Sequence, residues 1–263
     1  MTPAETLLMR KLIASGISSN EWEIIQTALK NRAFFSAKIE NLKFLSKAQR
    51  GLVQLLSRLQ NADGAITSRA QVVSDLMQAA RDMGIATGQG GITDPGSSKR
   101  AALIVDTNAA MATGEVRHAI DTTEGAQIAY PAWEFKRIES RRRERSNWQA
   151  RWLAAGGTLY GDRMIARKDS PVWAKLSRFG NPWEPFDYNS GMGRVDISRE
   201  ECITLGIIKP DYLPADTNPA DTHKQQLETD LKITGDDDPA WRYLKQTFGD
   251  QITRSGNTLT WSP

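Results

Sequence analysis

The sequence predicts an α+β protein, with a helical N-terminal region followed by a small mixed α/β domain of short strands and long loops. Three observations carry this reading. Leu42, Leu45, Leu52, Leu56 and Leu59 recur at spacings of three, four and seven, the rhythm of one helix face. Tyr130-Pro-Ala-Trp-Glu-Phe-Lys-Arg-Ile-Glu139 is rich in aromatics, carries a proline near its start and reads as a strand. Beyond it, Pro171, Pro182, Pro185 and Gly191-Met-Gly193 punctuate the chain too often for long elements. The divisions that follow are a helical region over 1–90, an α+β domain over 98–206, and an acidic linker with a small C-terminal helix and hairpin over 211–263.

The elements can be justified in order. Asn20 and Glu23 form a capping box ahead of Trp22, Ile25 and Leu29. In the leucine seam Gln49 takes the one polar slot, and the stripe must bury itself on a helix of this chain or of another. A third helix over 68–83 offers Val73, Leu76, Met77 and Ala80 for packing. Gly84 to Ser98 is glycine-rich and turn-prone. It lacks the Gly-Lys-Ser/Thr ending of a phosphate-binding loop and no apolar strand leads into it, so it reads as a linker. Lys99 to Ile120 is helical, with Leu103, Val105, Thr107, Met111 and Val116 along it and Gly114 as a point of close approach.

After the aromatic strand, Ser146 and Gln149 form a second capping box and Gly156-Gly157 a stop. The spacing predicts a short helix over 147–155 with Trp148 and Trp152, four apart, on one face. Arg141 to Arg145 are then the loop between strand and helix. Residues 157–161 and 164–166 read as short strands around a turn, 171–193 as loop with little regular structure, and 196–206 as a short helix. Pro239 to Phe248 reads as a helix, and Gln251 to Trp261 as a hairpin turning at Ser255-Gly-Asn257.

The chain of 263 residues has a formal net charge of +3, unevenly spread. Residues 134–168 hold ten Lys or Arg against four Asp or Glu, whereas 211–250 hold nine acids against four bases. The first region attracts phosphate and the second repels it. No apolar run is long enough to span a membrane, and the N-terminus lacks the basic start and apolar core of a signal peptide, so a cytoplasmic site of synthesis is expected. The single cysteine, Cys202, rules out an internal disulfide and a cysteine-built zinc site, and reads as a small buried hydrophobe. His118 and His223 have no metal-ligand spacing, no Gly-x-Ser-x-Gly elbow is present, and Asp236-Asp-Asp238 before Pro239 reads as a solvated helix start. These observations nominate no catalytic, metal-ligating or cofactor-binding residue. The candidate contacts to a partner protein or to DNA are Arg141, Arg142, Arg143, Arg145 and Arg151. Guanidinium groups bind phosphate with release of counterions and equally suit protein interfaces, and Glu139 and Glu144 could instead pair with them inside the loop.

In order, several segments resemble the Mu-type phage minor head protein (head morphogenesis) family. Leu103-Ile-Val-Asp-Thr-Asn-Ala-Ala-Met-Ala-Thr-Gly114 resembles its R-T-N…A…G helix, with Thr107, Asn108 and Gly114 at the matching places. Tyr130-Pro-Ala-Trp-Glu-Phe resembles its aromatic strand, and Glu139-Ser-Arg-Arg-Arg143 its D-S-R-x-R loop. Gly161 with Asp169-Ser-Pro-Val-Trp173 resembles its G…D-D-P-F-W segment, and Pro185 to Gly193 falls where the family has P-P-N-G-x-x-C-R-C. The likeness spans roughly 98–200. This chain departs from the pattern in lacking the histidine after the arginine loop and the closing Cys-x-Cys. Trp148, Trp152, Trp173 and Trp183 are expected to supply by packing what a metal would supply in relatives. The resemblance implies a non-enzymatic structural protein of the virion head, assembled in the host cytoplasm. Its expected partners are the portal protein and the major capsid protein. The helical region would be the docking module, and the arginine loop would face the portal, the capsid lining or packaged DNA.

Overall fold

The computed structural model describes residues 1–16, 18, 33–57, 66–141, 144–214, 229–230, 241, 245, 250, 252–255 and 258–261. The N-terminal part begins with α1 (Pro3–Leu8), held by a capping box in which the Thr2 hydroxyl accepts from the Glu5 amide and the Glu5 carboxylate accepts from the Thr2 amide. Helices α2 (Leu42–Ser57), α3 (Arg69–Asp82) and α4 (Ser98–Asp121) follow. The reading of 1–90 as helices alone is corrected by two three-residue strands, β1 (Lys11–Ile13) and β2 (Ala33–Phe35), which pair in parallel. Such short strands carry no period of their own. The predicted cap at Asn20 lies outside the described residues.

The leucine seam of α2 packs within the same chain, against α1, α3 and α4. Leu45 and Leu52 are fully buried and Leu56 half-buried, but Leu42, at the first position of the helix, is 55% exposed. Phe44 and Ala48 occupy the core row instead, since the buried face runs Phe44, Leu45, Ala48, Leu52. Leu59 lies outside the described residues. Gln49, the polar slot, has a definite task. Its Nε2 donates to the carbonyls of Leu7 (2.7 Å) and Arg10 (2.8 Å), tying α2 to the chain where α1 ends.

The glycine-rich stretch after α3 joins two helices that share one apolar core, and it is folded around Asp94. That carboxylate accepts from the amides of Thr87, Gly90 and Gly96, each at 2.9 Å, and these bonds hold it below the usual carboxylate range.

After α4 and the short α5 (Glu124–Ala129), strand β3 (Ala132–Arg137) forms the spine of a four-stranded antiparallel sheet ordered β4-β5-β3-β6. β4 (Leu159–Tyr160) and β5 (Arg163–Arg167) are the hairpin expected from the sequence, and β6 (Met192–Ile197) pairs along the whole of β3. β6 corrects two readings: Gly191-Met-Gly193, which reads as punctuation, leads into a strand, and Asp196, which reads as the start of a helix, lies inside it, the helix beginning only at Arg199 behind its Ser198 cap. On one side of the sheet, Trp133 and Phe135 pack with Phe186 and with Trp148, Trp152 and Trp173, which are carried on α6 (Trp148–Ala154) and α7 (Val172–Leu176). Edge-to-face pairs dominate, with Trp133–Trp173 at 5.5 Å, Trp152–Trp173 at 5.3 Å and Phe135–Phe186 at 5.0 Å. On the other side, α8 (Arg199–Thr204) brings Cys202 against Ala132, Ile165, Ile197 and Ile208.

The Ser146 capping box does not form. Asn147 is the N-cap, with φ −91° and ψ 15°, and makes no side-chain cap bond. The anchored Arg145 just ahead of it fixes where the chain enters α6. The expected C-terminal stop does form: Gly156 takes φ +89° and its amide bonds the Leu153 carbonyl while that of Gly157 bonds Trp152. At the C-terminal end β8 (Ile252–Ser255) and β9 (Thr258–Trp261) form the expected hairpin, joined by β7 (Thr229–Asp230) at the far edge of β9. Most of the helix predicted over 239–248 lies outside the described residues.

Candidate functional site

The arginine loop leaves β3 at Arg137 and returns at α6, and its described arginines are largely engaged. Arg137 pairs with Glu144 at 3.2 Å and donates to the Ser190 carbonyl at 3.1 Å, and Arg141 pairs with Glu139. Arg142 and Arg143 lie outside the described residues. Arg145 and Arg151, six positions apart in sequence, converge on one carboxylate oxygen of Asp187, at 3.0 and 2.8 Å. Arg145 also donates to the Tyr188 carbonyl (3.0 Å) and Arg151 to the Leu176 carbonyl (3.1 Å), and the Arg151 guanidinium lies 4.1 Å from the centre of the Trp148 ring. Asp187 is buried, and its second oxygen accepts from the Tyr188 amide. Two cations on one buried acid pin the base of the loop to the 186–190 segment. Of the nominated arginines, Arg145 and Arg151 are brought together, on an acid that no spacing links to them: Asp187 sits 36 residues beyond Arg151.

Beside this clasp runs an open groove of about 680 Å3, lined by Arg151, Ala154, Ala155, Lys175, Leu176, Ser177, Arg178 and Asp187.

A second polar centre was not foreseen. Arg194 of β6 is 2% exposed. It forms a two-pronged pair with Glu184, in which Nη2 to Oε2 is 2.9 Å, and donates from Nη1 to the Pro182 carbonyl at 2.9 Å. Its guanidinium lies 4.0 Å from the centre of the Trp133 ring. The other Nη1 direction meets His118 Nδ1 at 3.1 Å; as arginine can only donate, Nδ1 is the acceptor and the ring proton sits on Nε2. The Glu184 carboxylate also accepts from the Arg194 amide (2.9 Å), which closes part of the outer edge of β6. Close by, buried Lys168 lies 2.9 Å from Asp196, off the hydrogen-bond direction, donates to the Asp121 carbonyl at 3.0 Å and faces the same Trp133 ring. Every nitrogen of Arg194 is engaged by the protein. The centre therefore acts as a clasp joining α4, β3, β6 and the 182–185 turn.

Trp183 belongs to this clasp and not to the tryptophan core, which corrects its expected place. It is half-buried, 5.2 Å from the His118 ring, because the turn that carries it is drawn toward α4 by Glu184. Gly114 is the contact point the sequence suggested: a Cβ there would stand 2.2 Å from the Glu184 carbonyl oxygen. Asn108 is buried and donates to the Ile104 carbonyl at 2.9 Å, while Thr107 is only half-buried, since the buried face of α4 runs through Ile104, Val105, Asn108 and Ala112.

Burial, with the charges of Arg194 and Lys168 added, lowers the His118 pKa to about 3. The folded protein thus holds a neutral histidine while the unfolded chain protonates near the ordinary value of 6.5. The stabilising difference is fully present above that value and is lost as pH falls toward 3. Between pH 6.5 and 5 this histidine is expected to withdraw about 2 kcal/mol of stability. Urea unfolding at the two pH values would check it, with His118→Asn as the reference lacking that component. Burial pushes the Cys202 thiol up to about 11, leaving it protonated. Among the described residues no three His, Cys, Asp or Glu side chains are grouped to hold a metal ion, and no helix is long and apolar enough to cross a membrane. No protein-family model matches the chain, and no curated protein or solved structure shows a significant match to it.

Proposed function

We propose that the chain is a structural minor head protein of a tailed phage or prophage, acting in head assembly at the portal or the capsid interior and not as an enzyme. One observation carries the reading. The segments that resemble the family, dispersed over about a hundred residues, meet around a single sheet. Trp133 packs on Trp173, Phe135 on Phe186, the Glu139 amide donates to the Gly191 carbonyl, and Gly114 abuts Glu184 at the entrance to the Pro185–Gly193 segment. Among the described residues, four side chains that could do chemistry are tied into the fold: Arg194 and Asp187 by ion pairs and hydrogen bonds, His118 held neutral and Cys202 held as the thiol. On this reading the portal protein and the major capsid protein are the partners, and the virion head is the destination.

The test is mass spectrometry of purified particles from the strain that encodes the gene. Recovery of the protein at a few to a few dozen copies per particle supports a virion component. Recovery only from empty precursors supports an assembly role that ends before DNA fills the head. Absence from both sinks the reading.

A further inference from the structure

We propose that the exposed face of α2 is a docking strip for the phosphodiester backbone of nucleic acid, bound without regard to sequence. The core row of this helix runs through Phe44, Leu45, Ala48 and Leu52. Lys43, Lys47 and Arg50 fall at i, i+4 and i+7 on the side away from it, all exposed, and exposed Gln54 extends the same line. At about 1.5 Å per residue the three charges span about 10 Å, the axial rise of about three nucleotides of a duplex strand. No acid nearby cancels them. The 16 residues of α2 include no Asp or Glu, and among the described residues Lys43, Lys47 and Arg50 form no ion pair. On the helices packed against α2, Glu5 serves the Thr2 cap, Glu115 and Asp106 pair with Arg10 and Arg69, and Asp75 and Asp82 accept from Gln71 and Gln78. Glu40, just ahead of the helix, turns its carboxylate toward Gly16.

These cations are placed against the interest of their own helix. Lys43 stands in the first turn, where the helix dipole disfavours positive charge, while the last turn, which would favour it, has no basic residue. Lys43 and Lys47 are also an i, i+4 pair of like charge, which weakens a helix. Phosphates lying along the strip relieve both costs. The strip also discriminates among anionic partners. A helix that lies on a membrane sinks its apolar face among the headgroups, whereas the apolar face of α2 is spent in the core it forms with α1, α3 and α4. Protein interfaces are anchored by aromatic and large apolar side chains and are depleted of lysine. Here Leu42, at the start of the helix, is its one large exposed apolar side chain, and Ser46 lies between the cations. A phosphate backbone needs only point charges at intervals, which lysine supplies. The inference stands on charge and helix geometry and does not depend on the head-assembly reading.

The experiment is a fluorescence anisotropy titration of the whole protein with a short labelled DNA duplex of mixed sequence, repeated across a range of salt. Three phosphate contacts contribute about −3 to the slope of log K against log salt, roughly 40-fold in affinity between about 50 and 200 mM. Lys43→Gln with Lys47→Gln is expected to make the slope shallower by about 2 and to weaken low-salt binding by about tenfold or more, equally for unrelated duplexes. Lys43→Glu separates binding from folding. It puts an acid in the first turn, four residues ahead of Lys47, so the melting temperature should hold or rise while binding falls. Lys136→Gln with Lys209→Gln removes two exposed lysines elsewhere in the chain and should bind as the parent does. Thermal melting checks that the variants fold, and Lys43→Glu alone carries the test if the double variant on α2 does not. No binding at low salt overturns the proposal, as does a slope that the α2 variants leave unchanged or that the Lys136 and Lys209 control lowers as much. Displacement of the duplex by polyglutamate or by anionic phospholipid vesicles at equal charge also overturns it, and reassigns the strip to an acidic protein or to a membrane surface.

Discussion

Replacing Arg194 with alanine is expected to destabilise the protein by about 3–5 kcal/mol, the range for breaking a buried ion pair from one side. The side chain is 1% exposed, and its removal strands three acceptors together: the Glu184 carboxylate, the Pro182 carbonyl and His118 Nδ1. Trp133 loses the cation over its ring as well. Arg194→Lys should recover only part of the loss. One ammonium cannot hold both Glu184 oxygens in a planar fork and also reach Pro182. Arg194→Met combined with Glu184→Gln should cost less than the alanine change alone, because no charge is left buried without its partner. Urea unfolding of the three variants decides the matter. An Arg194→Ala protein within about 1 kcal/mol of the parent would show that the clasp contributes little to the fold.

The second large effect is expected at Trp152. Its side chain is fully buried, stacks 6.1 Å from Phe135, meets Trp173 at 5.3 Å and donates from Nε1 to the Thr158 carbonyl at 2.9 Å. Trp152→Ala opens a large cavity among rigid aromatic neighbours and should cost about 3–5 kcal/mol. Trp152→Phe keeps much of the volume but leaves the Thr158 carbonyl without its donor, so a smaller loss of about 1–3 kcal/mol is expected. Thermal melts of both variants measure the difference. Equal losses would mean that the hydrogen bond, and not the packing, secures this corner.

Much of the fold was legible because local chemistry and tertiary demand agreed. Helix α4, strand β3, the Leu159–Arg167 hairpin and the glycine stop after α6 each carry a periodic or turn signal of their own. What escaped was set by distant partners. The sequence around β6 looks like loop because a buried arginine and glycines occupy its slots, and only Glu184, Trp133 and His118 make Arg194 tolerable inside. The exposure of Leu42 follows from its place at the start of a helix whose core row runs through Phe44. Likewise Asp187 collects two arginines that no spacing rule links to it. The candidate site was half legible: Arg145 and Arg151 were nominated, whereas the acid that holds both and the groove beside them are products of folding.

The strand order also sets a schedule for the growing chain. The central strand of the sheet is made first, since β3 is complete at Arg137, yet its neighbour β6 is finished only at Ile197, roughly sixty residues later. At ribosomal speeds of about 5–20 residues per second this leaves a wait of about 3–12 s before the last partner is synthesised. Through most of that interval Trp133 and Phe135 are without Phe186 and without the Arg194 clasp. The nascent protein therefore has a built-in period of vulnerability, when a chaperone or a neighbouring chain can reach an aromatic strand that the finished molecule hides.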